Sequence, residues 1–296
     1  MRITDNLKKD IHGAPEWFLE AINIEPKEKY IENLKGNIAY SKWSNKGNAE
    51  DLLIFIHGTG AHKRWWDPIA PQFIDFADII AVDLPGMGNS DFRETYSIKD
   101  FGDAIISIIE KEKSNKKIKN INIIGHSLGG QVAAYVASER TELINNLIMI
   151  DTFIRPPGYD PKDHESGPLR MIKYYPDKVS ILKRFRLLPS QECLNGWFVR
   201  YIAEHSIKET EEGWRWKFDD AMFNGLERLF GYEFIFGCPT LFVYGAESLL
   251  MSGNILPNIK KTYSDIMEFE EIADAAHHVF LDKPLEIVDI IKNRLF

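Results

Sequence analysis

Little in this sequence would tie it to a disulfide scaffold, a bilayer or a polyanion. Only two cysteines, Cys193 and Cys238, occur in 296 residues, which excludes a disulfide framework. Basic residues are outnumbered 36 to 44, for a net charge of −8. A chain that wraps nucleic acid usually leaves a basic footprint, so no nucleic-acid partner is expected. No uninterrupted apolar run is long enough to span a membrane. The segment Met1–Glu20 has neither an apolar signal region nor a small-residue cleavage site. Internal repeats and low-complexity tracts are also missing. What remains is 44% apolar and 27% charged, close to the globular average. The expectation is a soluble cytoplasmic protein of one large domain or two small ones.

From Leu52 onward, short apolar runs alternate with helical patterns. Leu52–Ile56, Asp78–Val82, Ile121–Ile124, Leu147–Ile150, Leu241–Tyr244 and Ile266–Phe269 read as strands. Phe101, Ala104, Ile105, Ile108 and Ile109 recur at helical spacing, and Gln131–Ala137 and Pro284–Leu295 read as helices too. Such alternation predicts an α/β fold: a mostly parallel sheet covered on both faces. Ahead of it, Lys29–Leu34 and Asn37–Trp43 flank Lys35-Gly36, a hairpin signal at the sheet edge. One segment breaks the rhythm. Between Ile150 and Leu241 lies a stretch far longer than an ordinary connection. It is rich in helical patterns and aromatics, which predicts an insertion over 153–236 with its own small core and an apolar face over a pocket. The core domain is then 1–152 together with 237–296.

The strongest chemical signal is Gly125-His126-Ser127-Leu128-Gly129, directly after one strand and opening a helix. G-x-S-x-G in that context is a nucleophile elbow. The glycines permit a turn so tight that the serine hydroxyl is pushed up from the sheet edge. The turn also leaves the Leu128 N–H at a helix N-terminus, aimed at a developing oxyanion. A second donor is expected from Ile56-His57-Gly58-Thr59-Gly60, where Thr59 supplies the N–H. His57 itself reads as a brace for that loop. A serine hydroxyl needs an imidazole as general base, and His277-His278, after the last strand, offers two candidates.

With these motifs in order, and with Asp83-Leu84-Pro85-Gly86-Met87-Gly88-Asn89-Ser90 between them, the chain resembles the capped members of the α/β-hydrolase superfamily from about Lys29 onward. That group includes carboxylesterases, carbon–carbon bond hydrolases, cofactor-free haloperoxidase-like enzymes and epoxide hydrolases. The resemblance implies a mostly parallel eight-stranded sheet, an inserted helical cap and no cofactor. It selects His277 as the base, since the family's catalytic histidine lies seven residues before a proline, here Pro284. The family's usual acid position holds Ser248, which cannot hold an imidazolium electrostatically. Two carboxylates could replace it: Asp151, after the strand ending at Ile150, and Glu247 on the later loop. Asp151 is favoured, because other members of the superfamily carry their acid there.

Serine at the elbow argues against epoxide opening and halide displacement, for which these families use aspartate. No metal is expected: His277-His278 lacks ligand spacing, and His164-Glu165 is an isolated pair. The expected activity is hydrolysis of a small or medium apolar ester, or a related acyl compound, through an acyl-enzyme on Ser127. The expected partner is thus a small-molecule substrate. One alternative is carbon–carbon cleavage of a β-diketone or ring-fission product, which a cationic residue such as Arg155, Arg170 or Arg186 facing the pocket would favour. Another is a non-catalytic ligand-binding protein on a hydrolase scaffold. Trp65, Trp66, Trp197, Trp214 and Trp216 are candidate pocket walls.

Overall fold

The computed structural model describes residues 13–33, 35–115, 118–154 and 171–296. Its strands are β1 (Lys27–Asn33), β2 (Gly36–Trp43), β3 (Asp51–Ile56), β4 (Asp78–Val82), β5 (Tyr96–Ser97), β6 (Asn120–His126), β7 (Asn146–Ile150), β8 (Ile207–Thr210), β9 (Gly213–Trp216), β10 (Leu226–Glu227), β11 (Thr240–Gly245) and β12 (Glu268–Ile272). Its α-helices are α1 (Glu16–Ile22), α2 (Ile98–Asn115), α3 (Leu128–Glu139), α4 (Lys178–Leu182), α5 (Gly196–His205), α6 (Asp220–Gly225), α7 (Ile255–Tyr263), α8 (Val279–Asp282) and α9 (Pro284–Leu295). Eight strands form one sheet in the order β1-β2-β4-β3-β6-β7-β11-β12. The pairs from β4 to β12 are parallel, while β2 runs antiparallel to both β1 and β4.

The central strands are apolar throughout because helices cover both faces. Alternation along β3 divides the core in two. Leu52, Ile54 and Ile56 pack with Phe101 and Ile105 of α2 and Val132 of α3. Leu53 and Phe55 pack with Trp66, Phe73 and Ile287 of α9. The last strand differs from its expected span. Ile266 donates its N–H to the Tyr263 carbonyl at 3.0 Å, so it closes the turn after α7, and pairing with β11 begins at Glu268. The sequence Glu268-Phe-Glu-Glu-Ile272 alternates as an edge strand with one solvated face does.

Between β7 and β11 the described residues form α4, α5, a hairpin of β8 and β9, and α6. To the helices expected of the insertion the structure thus adds a β-hairpin. Glu211-Glu212 turns the chain, Trp214 and Trp216 alternate with Arg215, and β8 and β9 pair antiparallel. The short β10 adds to β5. Buried hydrogen bonds fasten the segment to the core domain: Tyr201 donates to Asp67 at 2.6 Å, Tyr96 donates to Asp219 at 2.6 Å, and His62 meets Ser206 Oγ at 2.9 Å. Among the described residues, no helix is long and apolar enough to cross a membrane.

Candidate active site

In parallel α/β sheets, ligands gather at the carboxyl ends of the strands. Here the ends of β3, β6, β7, β11 and β12 lie side by side. Ser127 stands between β6 and α3 with φ 53° and ψ −116°, a backbone conformation costly for any residue with a side chain. Two glycines make it possible. A Cβ on Gly125 would lie 2.3 Å from the Gly129 carbonyl oxygen, and one on Gly129 would lie 2.3 Å from the Ile56 oxygen. The Ser127 N–H donates to the Ile150 carbonyl at 2.9 Å, which fastens the elbow to β7. Leu128 opens α3, so its N–H has no carbonyl one turn earlier to bond.

The loop after β3 is held from beneath. His57 donates from Nδ1 to the Gly58 carbonyl at 2.8 Å and accepts at Nε2 from the Leu84 N–H at 3.1 Å. Burial pushes its pKa down, so the imidazole is neutral and acts as a brace. Asp83 accepts from the Lys63 N–H at 2.6 Å, the Lys63 ammonium at 2.9 Å and the Asn89 N–H at 2.9 Å. The Asp83–Ser90 motif is thus a strut under the loop that carries Thr59.

His277 donates from Nδ1 to Asp151 Oδ1 at 2.7 Å, with Asp151 wholly buried. The same carboxylate accepts from Ser248 Oγ at 2.7 Å and from the Gly245 N–H at 3.1 Å. Asp151 is therefore the carboxylate that His277 meets, and Glu247 is exposed. Ser248, at the family's usual acid position, is hydrogen-bonded to the Asp151 carboxylate instead. No local pattern announces that contact, since it depends on β7 and β11 being neighbours.

Ser127 and His277 line one cavity of about 490 Å³, with Gly58, Thr59, Trp65 and Leu188 among the other walls. Thr59, Trp65, Leu188, Phe223 and His278 also line an adjoining cavity of about 310 Å³. That second cavity is bordered by Lys173, Arg184 and Arg186. Arg155, Arg170 and the pair His164-Glu165 lie outside the described residues. Of the tryptophans, Trp65 lines both cavities and Trp216 the second. Trp66 is in the core against Phe55 and Phe280, Trp197 packs on Trp17 and Phe18, and Trp214 bridges to Tyr175. Among the described residues, no group of His, Cys, Asp or Glu is arranged to hold a metal.

Residues 51–284 match the alpha/beta hydrolase fold family. The chain is 24% identical over 265 residues to an sn-1-specific diacylglycerol lipase of Danio rerio, covering 86% of this chain and 81% of that one. It is 21% identical over 307 residues to an esterase of Mycobacterium tuberculosis, covering 97% of each. Among solved structures, the thioesterase domain from the curacin biosynthetic pathway aligns with a TM-score of 0.72 at 21% identity, over 90% of this chain and 99% of that one. E-2-(acetamidomethylene)succinate hydrolase aligns with a TM-score of 0.72 at 20% identity, over 90% and 98%. At such identities the solved structures speak for the fold alone.

Proposed function

Since the chain belongs to the alpha/beta hydrolase fold family, we propose that it is a carboxylic ester hydrolase working through an acyl-enzyme on Ser127. One observation carries this reading: a buried His277–Asp151 hydrogen bond of 2.7 Å in a cavity that His277 shares with Ser127. In the proposed cycle His277 Nε2 takes the Ser127 proton as Oγ attacks the ester carbonyl. The tetrahedral oxyanion is stabilised by the N–H groups of Leu128 and Thr59, at about 3 kcal/mol per donor. His277 then returns the proton to the departing alcohol, and the acyl group stays on Ser127. A water, deprotonated by His277, attacks the acyl-enzyme, and collapse of the second tetrahedral species frees the acid and restores Ser127. Asp151 keeps the Nδ1–H tautomer and balances the imidazolium charge.

The inserted segment acts in this reading as a cap, with Leu188 on the wall of the Ser127 cavity. The apolar character of that wall supports small or medium apolar acyl groups as substrates. The test is a chain-length series of p-nitrophenyl esters with the purified protein and with Ser127→Ala. Turnover that is lost in the variant supports the proposal, and turnover that persists contradicts it. A second reading is carbon–carbon cleavage of a carboxylate-bearing β-diketone, favoured by Lys173, Arg184 and Arg186 around the adjoining cavity. Faster turnover of such a diketone than of any ester would select it.

A further inference from the structure

The chain as a whole is acidic, at −8, but its charge is unevenly placed. Residues 171–188 of the inserted segment hold five basic side chains, Lys173, Lys178, Lys183, Arg184 and Arg186, against one acid, Asp177. The same stretch holds Met171, Ile172, Tyr174, Val179 and Leu188, which are five of the fifteen exposed large apolar residues among those described. Apolar groups scattered singly over a surface need no explanation, whereas a concentration of them marks a surface that meets something.

The placement of these side chains follows from alternating burial. Phe185 and Leu187 are buried, while Arg184, Arg186 and Leu188 between and beside them are exposed. Those three, with Lys173, line the cavity of about 310 Å³ that adjoins the Ser127 cavity, and Leu188 lines both. Met171 and Lys173 line a third cavity, of about 280 Å³, which shares Tyr175, Trp216 and Phe218 with the second. Met171, Lys173, Arg184, Arg186 and Leu188 therefore border one continuous opening. The Lys173 ammonium sits 5.4 Å from the centre of the Tyr175 ring on that border. Among the described residues, no acid lines the second cavity, and none of Lys173, Arg184 and Arg186 has a carboxylate partner.

An anionic solute would be met by these cations alone and would gain nothing from Met171 or Ile172. A lipid surface meets both kinds of side chain: apolar groups enter the acyl boundary while cations stay with the phosphates. An anionic leaflet is negative over its whole extent, so cations spread round an opening suit it without converging on one point. We infer that the rim formed by Met171, Ile172, Lys173, Arg184, Arg186 and Leu188 docks on an anionic lipid surface, with the opening turned toward it. The net charge of −8 opposes docking only at long range, since at 0.1 M salt charges farther than about 10 Å are largely screened. The inference stands apart from the acyl-enzyme chemistry. In the ester hydrolase reading, it means that an apolar ester passes from the lipid into the cavity without crossing water.

The experiment measures co-sedimentation with sucrose-loaded vesicles of phosphatidylcholine, with and without one-third phosphatidylglycerol. It uses Ser127→Ala, which leaves lipid ester bonds intact. Affinity for the anionic vesicles should exceed that for the neutral ones at least about tenfold. It should fall at least about tenfold between 0.1 and 1 M salt, as the screening length drops from about 10 to about 3 Å. A cation at such a surface is worth about fivefold, so Arg184→Gln combined with Arg186→Gln should weaken binding about twentyfold. Lys46→Gln combined with Lys119→Gln changes the charge equally on the chain entering β3 and β6, at the far ends of those strands from Ser127. That pair should stay within about twofold of the parent. Met171→Ser removes an apolar contact and should cost at least about fivefold. Thermal melting checks each fold, and Lys173→Gln, at about fivefold, replaces the arginine pair if that pair does not fold. Equal binding to both kinds of vesicle overturns the inference, as does equal loss in the rim and control pairs. Unchanged affinity in Met171→Ser overturns it too, because the rim is then an anion site without lipid contact. So does a protein that ignores vesicles and sediments as a dimer, because the rim then joins two copies. Turnover of soluble esters tests the hydrolase reading separately, so failure of either leaves the other standing.

Discussion

The strand ends and the segment inserted between β7 and β11 are built by different means. At the strand ends the backbone fixes the chemistry. His126 pairs with Ile150 and Ile150 with Val243, so Ser127 and Asp151 stand one step beyond a shared register. The Ser127 and Asp151 N–H groups are tied to neighbouring strands at 2.9 and 2.7 Å. The inserted segment is held largely by side chains, through the Tyr201–Asp67, Tyr96–Asp219 and Gln191–Asp282 bonds, with short backbone contacts where β10 joins β5 and where the Asp219 N–H donates to the Gly86 carbonyl at 2.7 Å. It keeps apolar groups such as Met171, Leu188 and Leu194 exposed. In the proposed reading, reaction type is thus written into backbone geometry that tolerates little change, and substrate choice into side chains that can vary without disturbing it.

Substitutions should split along that line. The largest effect is expected at Asp151. Asp151→Asn leaves the imidazole in the wrong tautomer and should lower kcat by about 10⁴, measured by ester turnover with KM unchanged. Glu247→Gln should stay within about twofold of the parent. Ser248→Ala, which removes one hydrogen bond to the acid, should fall between them at about tenfold. Equal loss at 151 and 247 would break the assignment.

Next comes Gly129→Ala. Its methyl would meet the Ile56 and His57 carbonyl oxygens at 2.3 and 2.5 Å, and backbone cannot retreat as a side-chain tip can. A stability loss of about 3 kcal/mol is expected, read by urea or thermal unfolding.

Acid should weaken the protein by a smaller amount per unit of pH. Burial pushes His205 down from 6.5 to about 4, and it also lowers His57, His62, His126 and His278. Between the two values for His205 the unfolded chain binds the extra proton. The stability from its neutral ring is complete above pH 6.5 and lost as pH falls toward about 4. Each such histidine contributes at most about 1.4 kcal/mol per pH unit. Unfolding midpoints measured between neutral pH and pH 5 should decline. A midpoint that rises on acidification would contradict the buried neutral rings.

The smallest effect is expected in the inserted segment. Leu188 is 51% exposed and lines both cavities. Leu188→Ala should raise KM for apolar esters about threefold through lost contact area, with stability within about 0.5 kcal/mol. A collapse of kcat there would place the inserted segment in the chemistry.

The same division explains what was legible in the sequence. The elbow could be read because its requirement is local: two glycines at fixed distances from one serine, between an apolar run and a helix. Asp151 and Glu247 could be named but not ordered by spacing, since neighbouring strand ends are brought together by sheet order. The partnership of Ser248 with Asp151 was hidden for the same reason. The β8–β9 hairpin was missed because Trp214 and Trp216 sit among helical patterns, and a four-residue strand offers too few positions to show its period. The turn after α7 absorbed Ile266, an apolar residue that composition alone assigned to the last strand.

The central claim is that Ser127 is an activated nucleophile. Mass spectrometry after exposure to a serine-directed fluorophosphonate tests it most directly. The parent protein should gain one adduct, mapped to Ser127, and folded Ser127→Ala should gain none. An adduct on another residue, or an unmodified Ser127 after full exposure to the probe, would contradict it.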